Sequence, residues 1–141
     1  MDKKFCEDPV FGLMTFNHSW EKTESIYWWG GAERSVNIVA FAYTGDQISS
    51  IQRDAYEDYR LNVVSVIDNN LSLLLQYLSE NFDSKISSKG IFEKITPRSV
   101  VFQKDGTWGI LFDCIFDAEN GISLYKNTNN KWSVGLQDDF L

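Results

Sequence analysis

Residues 49–82 read S-S-I-Q-R-D-A-Y-E-D-Y-R-L-N-V-V-S-V-I-D-N-N-L-S-L-L-L-Q-Y-L-S-E-N-F, and this stretch decides the fold. It holds neither Gly nor Pro. Ile51, Ala55, Tyr59, Val63, Val66/Ile67, Leu71, Leu74/Leu75, Leu78 and Phe82 recur at three- to four-residue steps, the period of one helix face. Ser49 and Gln52 have the spacing of a capping box, in which each side chain satisfies the other's backbone N–H. Asp54 and Glu57 put negative charge near the positive end of the helix. At about 1.5 Å per residue, about 32 residues span roughly 48 Å. That exceeds the diameter of a compact chain of this size, so the helix is expected to overhang or bend. The bend is placed at Tyr59-Arg60-Leu61-Asn62, ahead of the β-branched Val63, Val64, Val66 and Ile67. The stripe is broad and lacks regular charged flanks, which favours packing on a sheet over a coiled-coil seam.

Working outward, the chain before the helix reads as a three-stranded antiparallel meander. Residues 11–16 form a first strand, and Glu21-Lys22-Thr23-Glu24 a charged turn. Residues 25–29 form a second strand ending at Gly30-Gly31, and residues 35–44 a third. After the helix comes a polar connector with Asp83, Ser84, Ser87, Ser88 and Gly90. Residues 91–95 fit helix and strand equally. Strands follow at 99–102, 107–116, 122–125 and 131–134, with turns at Lys104-Asp105-Gly106, at Asn120-Gly121 and over 127–130. Residues 135–141 are a tail. The expected fold is a single α+β domain over residues 1–141. It is an antiparallel sheet, built as strand meander, long helix and second strand meander, with the helix packed on one face.

The chain has 141 residues, enough for one domain with a real core. Its net charge is −7. Residues 1–49 and 50–82 each carry −3, residues 83–112 carry +2 and the remainder −3. That balance argues against binding nucleic acid, which needs a basic face. Lys85, Lys89, Lys94, Arg98 and Lys104 read as a solvated basic stretch. The start, Met1-Asp2-Lys3-Lys4, is charged and no apolar run follows, so no signal peptide is expected. Asp68, Asn69 and Asn70 interrupt the most apolar part of the helix, so neither is a membrane span. A cytoplasmic location is the expectation. Cys6 and Cys114 then read as reduced thiols, Cys114 as a small core residue.

Little of the usual catalytic chemistry is present. His18, the one histidine, sits between Asn17 and Ser19 and reads as a turn residue. Gly30-Gly31 lacks the Lys-Ser/Thr of a phosphate loop. Two distant Cys and one His do not make a zinc site. The carboxylates Asp113, Asp117, Glu119, Asp138 and Asp139 are the remaining constellation. Oxygens on turns could hold a hard cation or act as acid and base, but turn carboxylates more often cap their own backbone. Trp28 and Trp29 are adjacent, so in a strand one ring faces the core and the other faces out. The outward ring, beside Gly30-Gly31, is a candidate contact anchor.

The run Phe102-Gln103-Lys104-Asp105-Gly106-Thr107-Trp108-Gly109-Ile110-Leu111-Phe112-Asp113 is followed by Phe116-Asp117-Ala118-Glu119-Asn120-Gly121-Ile122. With Val134-Gly135-Leu136-Gln137-Asp138-Asp139 and a helix opening near Gln52, it resembles a bacterial family of short α+β domains of unknown function. It is similar to immunity proteins of bacterial toxin systems. The resemblance covers residues 10–141 and rests on turn-and-strand patterns. It brings no catalytic residues to carry over. It implies a cytoplasmic domain that binds a partner protein.

The leading expectation is a non-enzymatic protein-binding domain, of immunity type, that neutralises a basic toxin by direct binding. The acidic balance suits a basic partner. Trp28, Trp29, Asp113, Asp117, Glu119, Asp138 and Asp139 are the expected contact residues. No catalytic residue, metal set or cofactor is assigned. One alternative is a metal- or small-molecule-dependent enzyme using Asp113, Asp117 and Glu119. The other is a structural homodimer formed through the helix or an edge strand.

Overall fold

The computed structural model describes residues 4–82, 85–127 and 129–141. Four strands precede the long helix: β1 (Phe5–Asp8), β2 (Gly12–Phe16), β3 (Trp20–Ile26) and β4 (Arg34–Ala40). Then come α1 (Ser50–Phe82), α2 (Ile91–Lys94), β5 (Ile95–Phe102), β6 (Trp108–Cys114), β7 (Asp117–Lys126), β8 (Trp132–Gly135) and α3 (Gln137–Phe140). The eight strands form one sheet in sequence order, β1 to β8. The architecture is α+β. Asp83, Ser84 and Thr128, which fall in the expected connector and hairpin loop, lie outside the described residues.

One expectation about the sheet is corrected. It is not wholly antiparallel, because β4 and β5 pair in parallel, Asn37 opposite Ser99 and Ala40 opposite Phe102. Parallel neighbours need a long crossover, and the 33 residues of α1 lie within the one that joins this pair. The meander before the helix has four strands rather than the expected three, β1 being the addition, and three local assignments also change. Glu21-Lys22-Thr23-Glu24 is the middle of β3 rather than a turn. Asp117, Glu119 and Asn120-Gly121 belong to β7, and the reversal before it sits at residues 115–116. The expected tail contains α3.

α1 runs unbroken through residues 59–62. Its start is the expected capping box. Ser49 Oγ accepts from the Gln52 N–H (3.2 Å), and Gln52 Oε1 accepts from the Ser49 N–H (3.1 Å). Gln52 does more than cap. Its buried Nε2 donates to the carbonyls of Phe41 (2.8 Å) and Phe102 (3.1 Å), tying the helix start to the ends of β4 and β5. The first turn carries no acidic residue, so Asp54 and Glu57 lie beyond the reach of the helix-end charge.

The buried residues of α1 share one apolar cluster with alternate residues of the strands, among them Ile38, Val100, Phe102, Ile110, Phe112, Ile122 and Leu124. Tyr59 meets Phe102 at 5.7 Å and Trp108 at 5.4 Å between ring centroids. Four indole N–H groups are satisfied, including Trp108 Nε1, which donates to Asp58 (2.9 Å), and Trp20 Nε1, which donates to the Asp46 carbonyl (2.9 Å). Asp8 joins β1 to the helix, accepting from Arg53 Nε (2.8 Å) and from the N–H groups of Val10 and Phe11 (3.0 Å each). No helix among the described residues is long and apolar enough to cross a membrane.

α3 meets β6 and β7, and is tied to β5 through Arg98. Pro97 has no N–H, and the β5–β6 register slips between Pro97 and Ser99. In the slipped segment Arg98 donates to Gln137 Oε1 (2.6 Å). Gln137 Nε2 donates to the Phe112 carbonyl (2.9 Å), Gln103 Nε2 donates to the Phe140 carbonyl (3.1 Å), and Phe140 stacks on Tyr125 at 5.4 Å.

Candidate functional site

Of the seven residues expected to contact a partner, six are exposed or half-buried and one, Trp29, is not at the surface. Trp29 is wholly buried, its ring 4.7 Å from Phe92 and 4.8 Å from Phe112, and its Nε1 donates to the Ile95 carbonyl (2.9 Å). It is a core residue and cannot act as a contact anchor. The alternation argument assumed a strand, whereas β3 ends at Ile26 and residues 28–31 form a turn. Trp28 is half-buried and its Nε1 donates to Tyr59 Oη (3.0 Å).

The carboxylates are dispersed in role. Asp113 is exposed and 3.8 Å from Arg98. Asp117 accepts from the Asn120 N–H (3.1 Å), a local bond at the start of β7. Glu119 and Asp138 are exposed, and Asp139 accepts from the Leu136 N–H (2.8 Å). Among the described residues, no three His, Cys, Asp or Glu side chains gather to hold a metal ion. His18 is exposed in the β2–β3 turn, and both thiols are free.

A different surface has the makings of a site. On α1, Asp54, Glu57, Leu61, Val64 and Asp68 stand at i, i+3, i+7, i+10 and i+14, one line along the helix. Ala55, Tyr56, Tyr59, Val63 and Ile67 point the other way into the core. The line therefore faces out, and Leu61 is 83% exposed, more than any other large apolar side chain described. Val64 is 57% exposed. Two leucine- or valine-sized side chains thus sit in water within a row of carboxylates. The signal was in the sequence: Leu61 and Val64 fall outside the three- to four-step stripe that marks the buried face.

Arg60 joins this line to a second feature. It lines a shallow hollow with Glu57 and Leu61, and also a cleft of about 240 Å³ with Glu24, Tyr27, Trp28, Tyr59 and Val63. The cleft lies between the end of β3, with the two residues after it, and the first half of α1. Tyr27 is 61% exposed at its mouth. Burial pushes the Tyr59 phenol well above the ordinary tyrosine range, against the lowering effect of the Trp28 N–H, and the Glu24 charge pushes the same way as burial. Tyr59 is thus a neutral hydroxyl at any physiological pH.

Another hollow, of about 540 Å³, is elsewhere, lined by Phe41, Tyr43, Lys104, Tyr125, Lys126 and Phe140 among others. Much of its polar equipment is engaged within the chain. Lys104 pairs with Asp46, and Asp105 accepts from the N–H and hydroxyl of Thr107.

Comparisons with protein-family models, with curated proteins and with solved structures each gave no match to this chain.

Proposed function

We propose that the chain is a non-enzymatic, cytoplasmic protein-binding domain whose mid-helix surface engages a basic partner, as an immunity protein engages a basic toxin. The observation that carries the reading is the exposed pair Leu61 and Val64, set in the carboxylate line of Asp54, Glu57 and Asp68. An apolar centre with a charged rim is the anatomy of a binding surface, and the sign of the rim selects a cationic partner. In this reading α1 lies on one face of the sheet, which holds its outward line rigid. The net charge of −7 opposes pairing of two such surfaces on identical chains. The enzyme reading needs carboxylates that converge, and among the described residues no such group of three forms.

The test is capture of partners by the tagged chain and by its Leu61→Asp variant, followed by affinity measurement over a salt series. Leu61 is exposed, so the substitution should change stability by no more than about 0.5 kcal/mol. Loss of a central contact should weaken binding by about 2 kcal/mol, roughly thirtyfold. A basic protein bound by the wild type, released by salt and lost with Leu61→Asp, supports the reading. Equal capture by both chains, or affinity indifferent to salt, would refute it. A dimer mass that Leu61→Asp abolishes would replace the foreign partner with a second copy.

A further inference from the structure

Glu24 carries the one side-chain polar atom among the described residues that is buried and meets no hydrogen-bond partner, its Oε2. Its Oε1 accepts a long bond from the Tyr56 hydroxyl (3.5 Å). A buried carboxylate oxygen is costly to leave without a donor, so such an atom points to an occupant. The chain's nearby cations do not supply it. Lys22 Nζ donates to the Phe11 carbonyl and lies 5.0 Å over the Tyr56 ring. The Arg60 guanidinium lies 5.8 Å over the same ring and forms no ion pair with Glu24.

Glu24 lines the 240 Å³ cleft with Tyr27, Trp28 and Tyr59. That volume is below the roughly 300 Å³ of sites for whole organic ligands, and suits a single head group. A carboxylate flanked by aromatic rings is the chemistry that selects a cation. The carboxylate gives a charge-assisted hydrogen bond, and ring faces attract ammonium and guanidinium groups. A neutral hydroxyl would pair the oxygen but gain nothing from the rings. The cleft shares Arg60 with the Leu61 hollow, so it adjoins the surface assigned above.

We infer that this cleft receives one cationic side chain, lysine or arginine, from the partner protein, with Glu24 as its counter-ion. The inference rests on the protein-binding reading and names the group of the partner that is read. Its test needs no partner. The ¹⁵N-labelled chain is titrated with N-acetyl-lysine N-methylamide, with the arginine analogue and with the neutral norleucine analogue. The Trp28 indole N–H signal, assigned through Trp28→Phe, is followed. The expected result is a saturable millimolar shift with one or both cations and none with norleucine. Glu24→Gln, which keeps an acceptor for Tyr56, should weaken binding roughly ten- to a hundredfold. Tyr27→Ala, at an exposed ring, should weaken it roughly two- to fivefold without disturbing the fold. Equal shifts with norleucine, or a folded Glu24→Gln chain that binds like the wild type, overturn the inference. So does binding seen only in Arg60→Gln, which would mean that the chain's own guanidinium closes the cleft. A negative titration beside Leu61-dependent capture removes the cleft alone. A positive titration without such capture removes the protein-binding reading instead.

Discussion

The two helices that meet the second half of the sheet, α1 and α3, are accommodated in opposite ways. α1 meets large side chains: Tyr56 and Tyr59 against Phe102, and Tyr59 against Trp108, which in turn meets Trp132 at 4.8 Å. α3, four residues long, fits where side chains are missing. A Cβ on Gly109 would stand 3.0 Å from Phe140 and 2.8 Å from Tyr125, one on Gly121 would collide with Gln137, and one on Gly135 with Asp139. The difference is one of autonomy. A 33-residue amphipathic helix brings its own apolar area to the contact. A helix of one turn has no stability of its own and is placed by the surface that receives it.

That contrast can be broken from either side. The largest effect should come from Trp108→Ala, which empties the centre of the α1 contact and removes the Asp58 bond. About 3–5 kcal/mol of unfolding free energy should be lost, read by urea denaturation. A loss below about 1 kcal/mol would mean that the ring cluster does not anchor the helix.

Gly121→Ala attacks the other side. Gly121 has φ +59°, and the added Cβ would also stand 2.6 Å from the Phe112 carbonyl. A cost of roughly 2–3 kcal/mol is expected, with faster amide exchange at residues 136–141 than in the wild type. Unchanged exchange there would show that α3 is held without Gln137.

The smallest effect, about 1–3 kcal/mol, is expected for Asp8→Asn, which weakens the link between β1 and α1. Burial alone would raise the Asp8 carboxyl. The N–H groups of Phe11 and Val10 and the Arg53 guanidinium outweigh it and hold the group below its ordinary value. A depressed carboxyl adds stability above its unfolded value, near pH 4, and that stability is lost as pH falls through the folded value. The wild type should therefore lose more stability than Asp8→Asn as pH drops below about 4. Parallel acid limbs would mean that the carboxylate is not what holds β1.

The elements that could be read from sequence are those with local causes. The long helix carried its period and its Ser49–Gln52 box, and both stand in the structure. The hairpin at Lys104-Asp105-Gly106 likewise rests on local turn chemistry, with Gly106 at φ +88°. β3 was hidden because Lys22 and Glu24 are charged, yet both belong to a strand. There Lys22 lies over Tyr56, and Glu24 accepts from its hydroxyl, 32 residues further along the chain. The β6–β7 turn was misplaced because Asn120-Gly121 has turn composition. Gly121 instead makes room for Gln137. Of the candidate site, the sequence offered the Trp28–Trp29 pair without telling which ring is buried, and it marked Leu61 and Val64 only as neighbours of an expected bend.

By itself, then, the sequence determined the α+β class, the position and start of α1, and most of the strand count, since period and turn chemistry act between near neighbours. Tertiary structure alone decided the parallel β4–β5 pairing, the seat of α3, and the meeting of Glu24 with Trp28, Tyr59 and Arg60. Each of these depends on elements far apart in the sequence meeting in the folded sheet, and no local pattern encodes such a meeting.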